Sequence, residues 1–143
     1  MTFVDASVIV AILKEEPGYE ELVKRLDRSG GKYYVSPMVR FEAVAAMVKT
    51  EIDGKKGKTV NRRELFATAR SLVAEFIDLI GARDVMIDAR IGEGALEAMA
   101  TFGKLAGHKA QLNLGDCFSY AAAKSMRLEL LYKGNDFVET DIG

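Results

Sequence analysis

The sequence predicts an α/β fold, with a central parallel sheet of about four to five short strands flanked by helices on both faces. Short runs of β-forming residues alternate along the chain with longer stretches of helical periodicity, an order typical of right-handed crossovers onto a parallel sheet. The length of 143 residues, with 49% apolar and 29% charged residues, is enough for one sizeable core. Residues 1–143 are therefore expected to form a single domain.

The first half of the chain predicts two strands and three helices. Residues 2–4 form an apolar strand, and an amphipathic helix follows from 7 to about 15, where Pro17-Gly18 closes it. A second helix from 19 to about 26 leads through a glycine-rich turn at 29–31 into a strand at 33–35. Ser36-Pro37 is a helix-start signal, and apolar residues recur at helical spacing from 41 to 48. The Gly- and Lys-rich stretch 53–59 predicts a surface loop.

The second half predicts three more helices and two more strands. Asn61 with Glu64 resembles a capping box, and residues 65–80 carry one long apolar helical face. A short strand is expected at 85–87, and Asp88 is expected to cap a helix that ends within 103–107. Residues 116–126 are apolar almost all round, which predicts a helix buried inside the fold. A last strand at 128–132 precedes a closing turn at 135–137.

Composition narrows the chemistry. With a single cysteine, Cys117, and a single histidine, His108, the chain offers no intramolecular disulfide and no zinc site of Cys/His type, so any metal must be held by oxygen. Cys117 is interpreted as a packed hydrophobe and His108 as a surface residue. No apolar run approaches the roughly 20 residues of a membrane helix, and the start lacks the basic segment of a secretory signal. A cytoplasmic protein without membrane contact is expected.

The charge balance provides no global attraction for nucleic acid. The net charge is −1, from 20 basic and 21 acidic residues, so any binding to RNA must use local basic patches. The densest patch is Lys55, Lys56, Lys58, Arg62 and Arg63. It fits either a phosphate-contacting segment or a plain solvated loop.

Acidic residues are the strongest functional signal. Asp5, Asp116 and Asp136 come from separate parts of the sequence, and all are expected at the sheet edge where such folds bind ligands. Each has a structural alternative, because Asp5 and Asp116 could cap helices and Asp136 could shape a turn. Glu42 lies near the edge of an apolar helical face, where a solvated glutamate is the other interpretation.

A hard dication would relieve the repulsion among these carboxylates. Magnesium prefers oxygen ligands, keeps several of its waters, and is usually held by one or two carboxylates together with substrate phosphates. Bound there, it would polarise a phosphate and activate a water for in-line attack. The residues thus indicate Mg²⁺-dependent phosphodiester chemistry, in which Mn²⁺ is expected to substitute.

Four segments, in this order, resemble the PIN-domain family, and in particular the VapC toxins of bacterial toxin–antitoxin pairs. They are FVDAS at 3–7, SPMVRFE at 36–42, LNLGDCFSYA at 112–121 and LYKGNDF at 131–137. An aspartate after a strand is weak support when taken singly, but the ordered set with LNLGDCFSYA is specific and spans essentially the whole chain. The resemblance implies a three-layer PIN-like fold and an Mg²⁺-dependent endoribonuclease that acts as the toxin of its pair.

The resemblance also implies roles for individual residues. Metal would be bound mainly by Asp5 and Asp116, with Glu42 as a ligand or water-positioning group. Asp136 is the fourth candidate catalytic acid, although relatives carry an acidic or amide residue where this chain has Gly134. Supporting roles fall to two further residues. These are Ser7, expected to brace Asp5 or touch phosphate, and Asn113.

The implied partners are an RNA substrate, a VapB-type antitoxin protein and a second copy of the chain in a homodimer. The main alternative is a catalytically weak RNA-binding or antitoxin-binding PIN scaffold, against which the retained acids count. A phosphotransferase of the haloacid dehalogenase type would need an acid where Ser7 stands, and a receiver domain would need paired acids that are missing. A structure-specific DNA nuclease would need additional DNA-gripping segments.

Overall fold

The computed structural model describes residues 1–28, 30–55 and 58–142, and strands and helices alternate along them. The strands are β1 (Thr2–Val4), β2 (Tyr33–Val35), β3 (Arg83–Asp84) and β4 (Glu129–Leu131). The helices are α1 (Ala6–Leu13), α2 (Tyr19–Arg28), α3 (Pro37–Gly54), α4 (Arg62–Leu79), α5 (Ala89–Phe102) and α6 (Leu114–Ser125), with a short 3-10 helix at Lys104–Ala106. The turn expected at 29–31 and the loop expected at 53–59 include Ser29, Lys56 and Gly57, which lie outside the described residues.

The sheet is parallel throughout, and its order β3-β2-β1-β4 places β1 between two neighbours. Thr2 of β1 lies opposite Tyr33 of β2 on one side and Glu129 of β4 on the other. Phe3 and Val4 are completely buried, as expected for a central strand covered on both faces. The predicted α/β class with a central parallel sheet is confirmed, and the carboxyl ends of its strands meet at one edge.

Side-chain caps begin several helices where the sequence predicts them. The hydroxyl of Ser36 accepts a hydrogen bond from the Val39 amide at 3.2 Å, and the carboxylate of Asp88 accepts one from the Ile91 amide at 2.9 Å. Asn61 accepts from the Glu64 amide at 3.2 Å. These caps satisfy amides that have no partner inside the helix.

The third strand differs from the prediction of 85–87. β3 is Arg83–Asp84, and Val85 only donates its amide to the Val35 carbonyl at 2.7 Å. The reason is that β2 ends at Val35, since Ser36 already caps α3, so β3 has no further backbone to pair with. The apolar run at 85–87 reflects burial of Val85 in the core rather than ladder pairing.

Helix α6 is the buried helix that the sequence predicts, and it starts two residues earlier than residue 116. It packs closely on α5, where a Cβ added at Gly94 would lie 3.2 Å from the Cβ of Ala121. Its first turn is buried as well, with Asp116 only 7% exposed. Among the described residues, no helix has both the length and the apolar character needed to cross a bilayer.

Candidate active site

A cavity of about 430 Å³ opens near the carboxyl ends of β1 and β4. Five carboxylates line it, and four of them, from four parts of the chain, are predicted site residues: Asp5, Glu42, Asp116 and Asp136. The two predicted supporting residues, Ser7 and Asn113, line it as well. The remaining lining residues are Ala6, Val10, Glu16, Ala46, Lys133 and Gly134. Acids that are distant in sequence thus share one small space.

Asp5 is fixed by three hydrogen bonds and is only 5% exposed. It follows β1 directly and caps α1, and its Oδ2 accepts from the Ser7 amide at 3.1 Å and the Ser7 hydroxyl at 2.7 Å. Its Oδ1 accepts from the Ser119 hydroxyl at 2.7 Å. The capping and cavity-lining interpretations of Asp5 therefore both hold, and Ser7 braces it.

Ser119 contacts Asp5, and it was not among the site residues predicted from the sequence. It is almost completely buried, yet it lies three residues after Asp116 on the same helical face. The sequence does contain a signal for this contact, since Ser119 places a hydroxyl on an otherwise apolar helix at helical spacing from a candidate acid. Its bond to Asp5 ties α6 to the end of β1 across 114 residues of sequence.

Asp116 lies in the first turn of α6, where it forms a capping box with Asn113. The Asp116 amide donates to the Asn113 side chain at 2.9 Å, and the Asn113 amide donates to Asp116 Oδ2 at 3.1 Å. This reciprocal pair fixes the aspartate and satisfies two amides at the helix end. Asn113 thus has a clear supporting role in the geometry of the cluster.

Glu42 reaches the cluster from α3 because residue 115 is a glycine. A Cβ added at Gly115 would collide with the carboxyl group of Glu42, so that group occupies the space that a side chain would take. Gly115 precedes Asp116, and the contact therefore brings Glu42 beside the first turn of α6. Any larger residue at position 115 would displace the glutamate.

Asp136 is exposed and lies in the loop after β4. Gly134, at φ 95°, turns this loop with a backbone conformation that favours glycine. The Asp136 carboxyl group lines the cavity, and its negative charge contributes to the raised pKa of Asp116. Gly134 therefore does not keep the fourth predicted carboxylate out of the cavity.

Burial and mutual repulsion change the acid–base behaviour of this cluster. Burial raises the pKa of Glu42 to about 7, and the negative charges of Asp5 and Asp116 add to this effect. Burial also raises the pKa of Asp116 to about 7. The hydrogen bond from the Asn113 amide lowers this pKa, whereas the charges of Asp136 and Asp5 raise it further. The raised pKa values show that burial and mutual repulsion disfavour the ionised forms of Glu42 and Asp116, which is the situation that a bound cation relieves.

The donor set fits a hard cation that keeps much of its water. Within the described ranges, no group of three His, Cys, Asp or Glu side chains is arranged to hold a metal ion. The cavity instead offers carboxylate oxygens around a space with room for water. That arrangement suits Mg²⁺, which is usually held through one or two carboxylates and otherwise by water and substrate oxygens.

Comparison with known protein families decides the assignment. The model of the PIN domain matches residues 2–143 of the chain. A VapC ribonuclease of Rhizobium meliloti (strain 1021) is 59% identical over 143 residues, which is 100% of both chains. The chain belongs to the VapC ribonucleases of the PIN-domain family. The resemblance carried by the four sequence motifs is thereby confirmed.

More distant PIN-domain proteins agree with this assignment. The ribonuclease VapC42 of Mycobacterium tuberculosis is 34% identical over 139 residues, covering 97% of this chain and 95% of that protein. The crystal structure of Mycobacterium tuberculosis VapC20, described as a Sarcin-Ricin loop cleaving toxin, superposes with a TM-score of 0.71 at 16% identity. It covers 100% of this chain and 97% of that one. At this identity the likeness shows the PIN fold alone.

Other candidate residues of this PIN domain lie away from the acidic cavity. Cys117 is buried, as predicted. His108 is half-buried rather than exposed, since its ring packs edge-on against Phe102 and its Nδ1 accepts the Ala110 amide at 3.0 Å. The described members of the basic patch do not line the cavity, and its Lys56 lies outside the described residues. A role of this patch in RNA binding stays a prediction.

Proposed function

We propose that this VapC ribonuclease hydrolyses RNA with Mg²⁺ bound mainly by Asp5 and Asp116, with Glu42 as a ligand or water-positioning group and Asp136 completing the catalytic cluster. The observation that carries the proposal is the meeting of four carboxylates in one cavity, two of which have a pKa raised to about 7. When bound, the ion would polarise the scissile phosphate and lower the pKa of the attacking water. Mn²⁺ has the same preference for oxygen and is expected to substitute.

The residues of the chain divide the remaining work. Asp5 presents a carboxylate that Ser7 and Ser119 hold in one orientation, so little reorganisation is needed when a cation arrives. Asp116 is held in the same way by its capping box with Asn113. Glu42 packs on Gly115, and its raised pKa suits a group that orients water and accepts a proton near neutral pH.

Chelation tests the metal requirement. Purified protein is expected to cleave RNA with Mg²⁺ or Mn²⁺ and to lose that activity in EDTA, because the cavity offers hard oxygen ligands for such an ion. The measurement is cleavage of an RNA oligonucleotide before chelation, after chelation, and after excess Mg²⁺ is restored. Undiminished cleavage in EDTA would rule the metal mechanism out, whereas failure to recover with Mg²⁺ would indicate damage to the protein.

Metal binding should also change how stability depends on pH. Between about pH 4.5 and 7, the folded protein keeps protons on Glu42 and Asp116 that the unfolded chain has lost, so the free energy of unfolding falls as pH rises. An ion that binds the ionised carboxylates should offset this loss. Mg²⁺ at about a hundredfold its Kd is therefore expected to raise Tm by roughly 5–10 °C at pH 8 and far less at pH 5.

Thermal melts at both pH values, with and without Mg²⁺, measure this effect. Glu42→Gln is the matched control, because it keeps the shape of the side chain while removing one of the titrating groups. It should flatten the metal-free pH dependence over this range. An equal Mg²⁺ shift at pH 5 and pH 8 would show that the ion binds somewhere other than these carboxylates.

The chain is further proposed to form a homodimer through the surface around the start of α6. A mainly apolar cavity of about 400 Å³ lies there, and four exposed apolar side chains surround it: Leu96, Met99, Leu105 and Leu114. Leu105 is 88% exposed, and clustered exposure of this kind is typical of interaction surfaces. Light scattering should give a dimer mass, and Leu105→Asp should convert it to a monomer. A wild-type monomer across micromolar concentrations would contradict the proposal.

The other partner is proposed to be a VapB-type antitoxin. A toxin–antitoxin complex from Klebsiella pneumoniae superposes with a TM-score of 0.62 at 16% identity, covering 99% of this chain and 93% of that one. An arginine of the antitoxin would satisfy the same carboxylates as a cation does, through paired hydrogen bonds. We also propose that residues 1–143 act as one PIN domain, and that the protein works in the cytoplasm, where its RNA substrate is.

A further inference from the structure

Lys133 is the one cationic side chain among the described residues that line the acidic cavity. Its Nζ lies 3.0 Å from Glu16 Oε1, and both side chains are about one-third exposed. RNA that approaches this cavity brings phosphates toward its carboxylates, which repel them. A lysine at the same opening supplies charge of the complementary sign.

The position of Lys133 is tied to the candidate metal ligands through its backbone. The Lys133 amide donates to the Ser7 hydroxyl at 3.0 Å, and that hydroxyl donates to Asp5 at 2.7 Å. The Cα of Lys133 is therefore fixed relative to Asp5, while its side chain extends to Glu16. A side-chain substitution leaves this backbone hydrogen bond in place, so its effect reports on the ammonium group.

Glu16 also pairs with a second lysine, so the Lys133 ammonium group can leave Glu16 for another anion without leaving the glutamate unpaired. Lys14 Nζ lies 3.4 Å from Glu16 Oε2 and also donates to the Thr50 hydroxyl on α3 at 2.8 Å. If Lys133 moves to another anion, Lys14 still balances the charge of Glu16. Ion pairs as exposed as Lys133–Glu16 also contribute little to stability, so breaking this one is cheap.

We propose that Lys133 exchanges Glu16 for a backbone phosphate of the RNA, namely the phosphate next to the scissile one. This inference rests on the proposed function, which assigns the scissile phosphate itself to the acidic cluster. Glu16 then serves to hold the lysine at the cavity opening until substrate arrives. Lys133 is thereby a substrate-binding residue rather than a member of the metal site.

The test compares Lys133→Gln with Lys109→Gln in steady-state cleavage of an RNA oligonucleotide with Mg²⁺. Lys109 is the matched control because it also pairs with a glutamate, Glu139, at 3.0 Å, but does not line the cavity. Lys133→Gln is expected to raise KM about tenfold with kcat within about threefold of wild type, since the lost contact is made equally in ground and transition states. The slope of log affinity against log salt should become shallower by about 0.7, the contribution of one phosphate on a single strand.

Lys133→Arg should retain most of the affinity, and Lys109→Gln should match wild type in KM and in salt slope. A wild-type KM and slope in Lys133→Gln would overturn the proposal. So would a fall in kcat at unchanged KM, because that pattern would mean that Lys133 acts through Asp5. Including wild-type protein in every assay distinguishes failure of the proposed function from failure of the role of Lys133. If wild-type protein does not cleave RNA, or cleaves it without metal, the proposed function is wrong. If wild-type protein is active and Lys133→Gln is unaffected, only the role of Lys133 is wrong.

Discussion

Asp116→Asn is expected to lower the rate of RNA cleavage at least about 100-fold, because it removes ligand charge where metal and transition state both need it. The substitution is mild for the fold. The amide oxygen of asparagine can still accept the Asn113 hydrogen bond, and the charge repulsion with Asp136 and Asp5 disappears. The metal-free variant should therefore be at least as stable as wild type at pH 8, so that lost activity cannot be attributed to unfolding.

Asp5→Asn should reduce cleavage by a similar factor but with a small cost in stability. Both carboxylate oxygens of Asp5 accept hydrogen bonds, from Ser7 on one side and Ser119 on the other. An amide has only one acceptor oxygen, so one serine must find another partner. Single-turnover cleavage and a thermal melt measure the two effects separately.

Asp88→Asn provides the matched control for both variants. Asp88 is also a helix N-cap, accepting from the Ile91 amide at 2.9 Å, but it lies outside the acidic cavity. Asparagine is as good an N-cap as aspartate, so this variant should retain wild-type stability and activity. Near-wild-type cleavage by both Asp5→Asn and Asp116→Asn would exclude the cavity as the active site.

Expression of this chain alone in a bacterium should arrest growth, and Asp5→Ala should abolish the arrest. The physical reason is that the acidic cavity is open to solvent in the described structure and Asp5 is the most firmly oriented of its carboxylates. Removing that carboxylate removes a proposed metal ligand and leaves the Ser7 and Ser119 hydroxyls without their acceptor. Co-expression of the antitoxin should restore growth to cells that carry the parent chain.

Growth curves after induction, with protein levels checked by immunoblot, measure toxicity. Asp5→Ala should accumulate to at least the parent level while cells continue to divide, and it should still bind the antitoxin if most of that interface lies outside the cavity. Arrest by Asp5→Ala as strong as that of the parent would show that toxicity does not come from metal-dependent cleavage. The scaffold interpretation would then be the better one.

Much of the site could be predicted because the topology itself gathers it. Asp5 follows β1 and Asp136 follows β4, so a parallel sheet brings them to the same edge. This holds even if a predicted strand boundary is wrong by a residue or two. Asp116 could be predicted as a site residue because it is a charged residue at the start of an otherwise apolar helix. The predicted position of the third strand was wrong because the residues of β3 that pair with β2 are set by where β2 ends. The apolar run at 85–87 carries no information about the end of β2.

Contacts between elements were beyond sequence reasoning. The hydrogen bond from Ser119 to Asp5, the packing of Glu42 on Gly115 and the pairing of Lys133 with Glu16 all join segments far apart in the chain. Each depends on how closely two helices, or a helix and a loop, approach one another. Periodicity indicates which face of a helix is buried, but not which side chain it meets there.

Titration of Mn²⁺ into wild-type protein and into Asp116→Asn, with free Mn²⁺ followed by electron paramagnetic resonance, tests most directly whether the acidic cavity holds the metal that cleavage needs. Wild-type protein is expected to bind the ion, and Asp116→Asn to bind it at least about tenfold more weakly. Glu42→Gln should show a smaller loss, and Asp88→Asn none. Equal affinity in wild type and Asp116→Asn would contradict the account, because the ion would then be bound outside the four carboxylates.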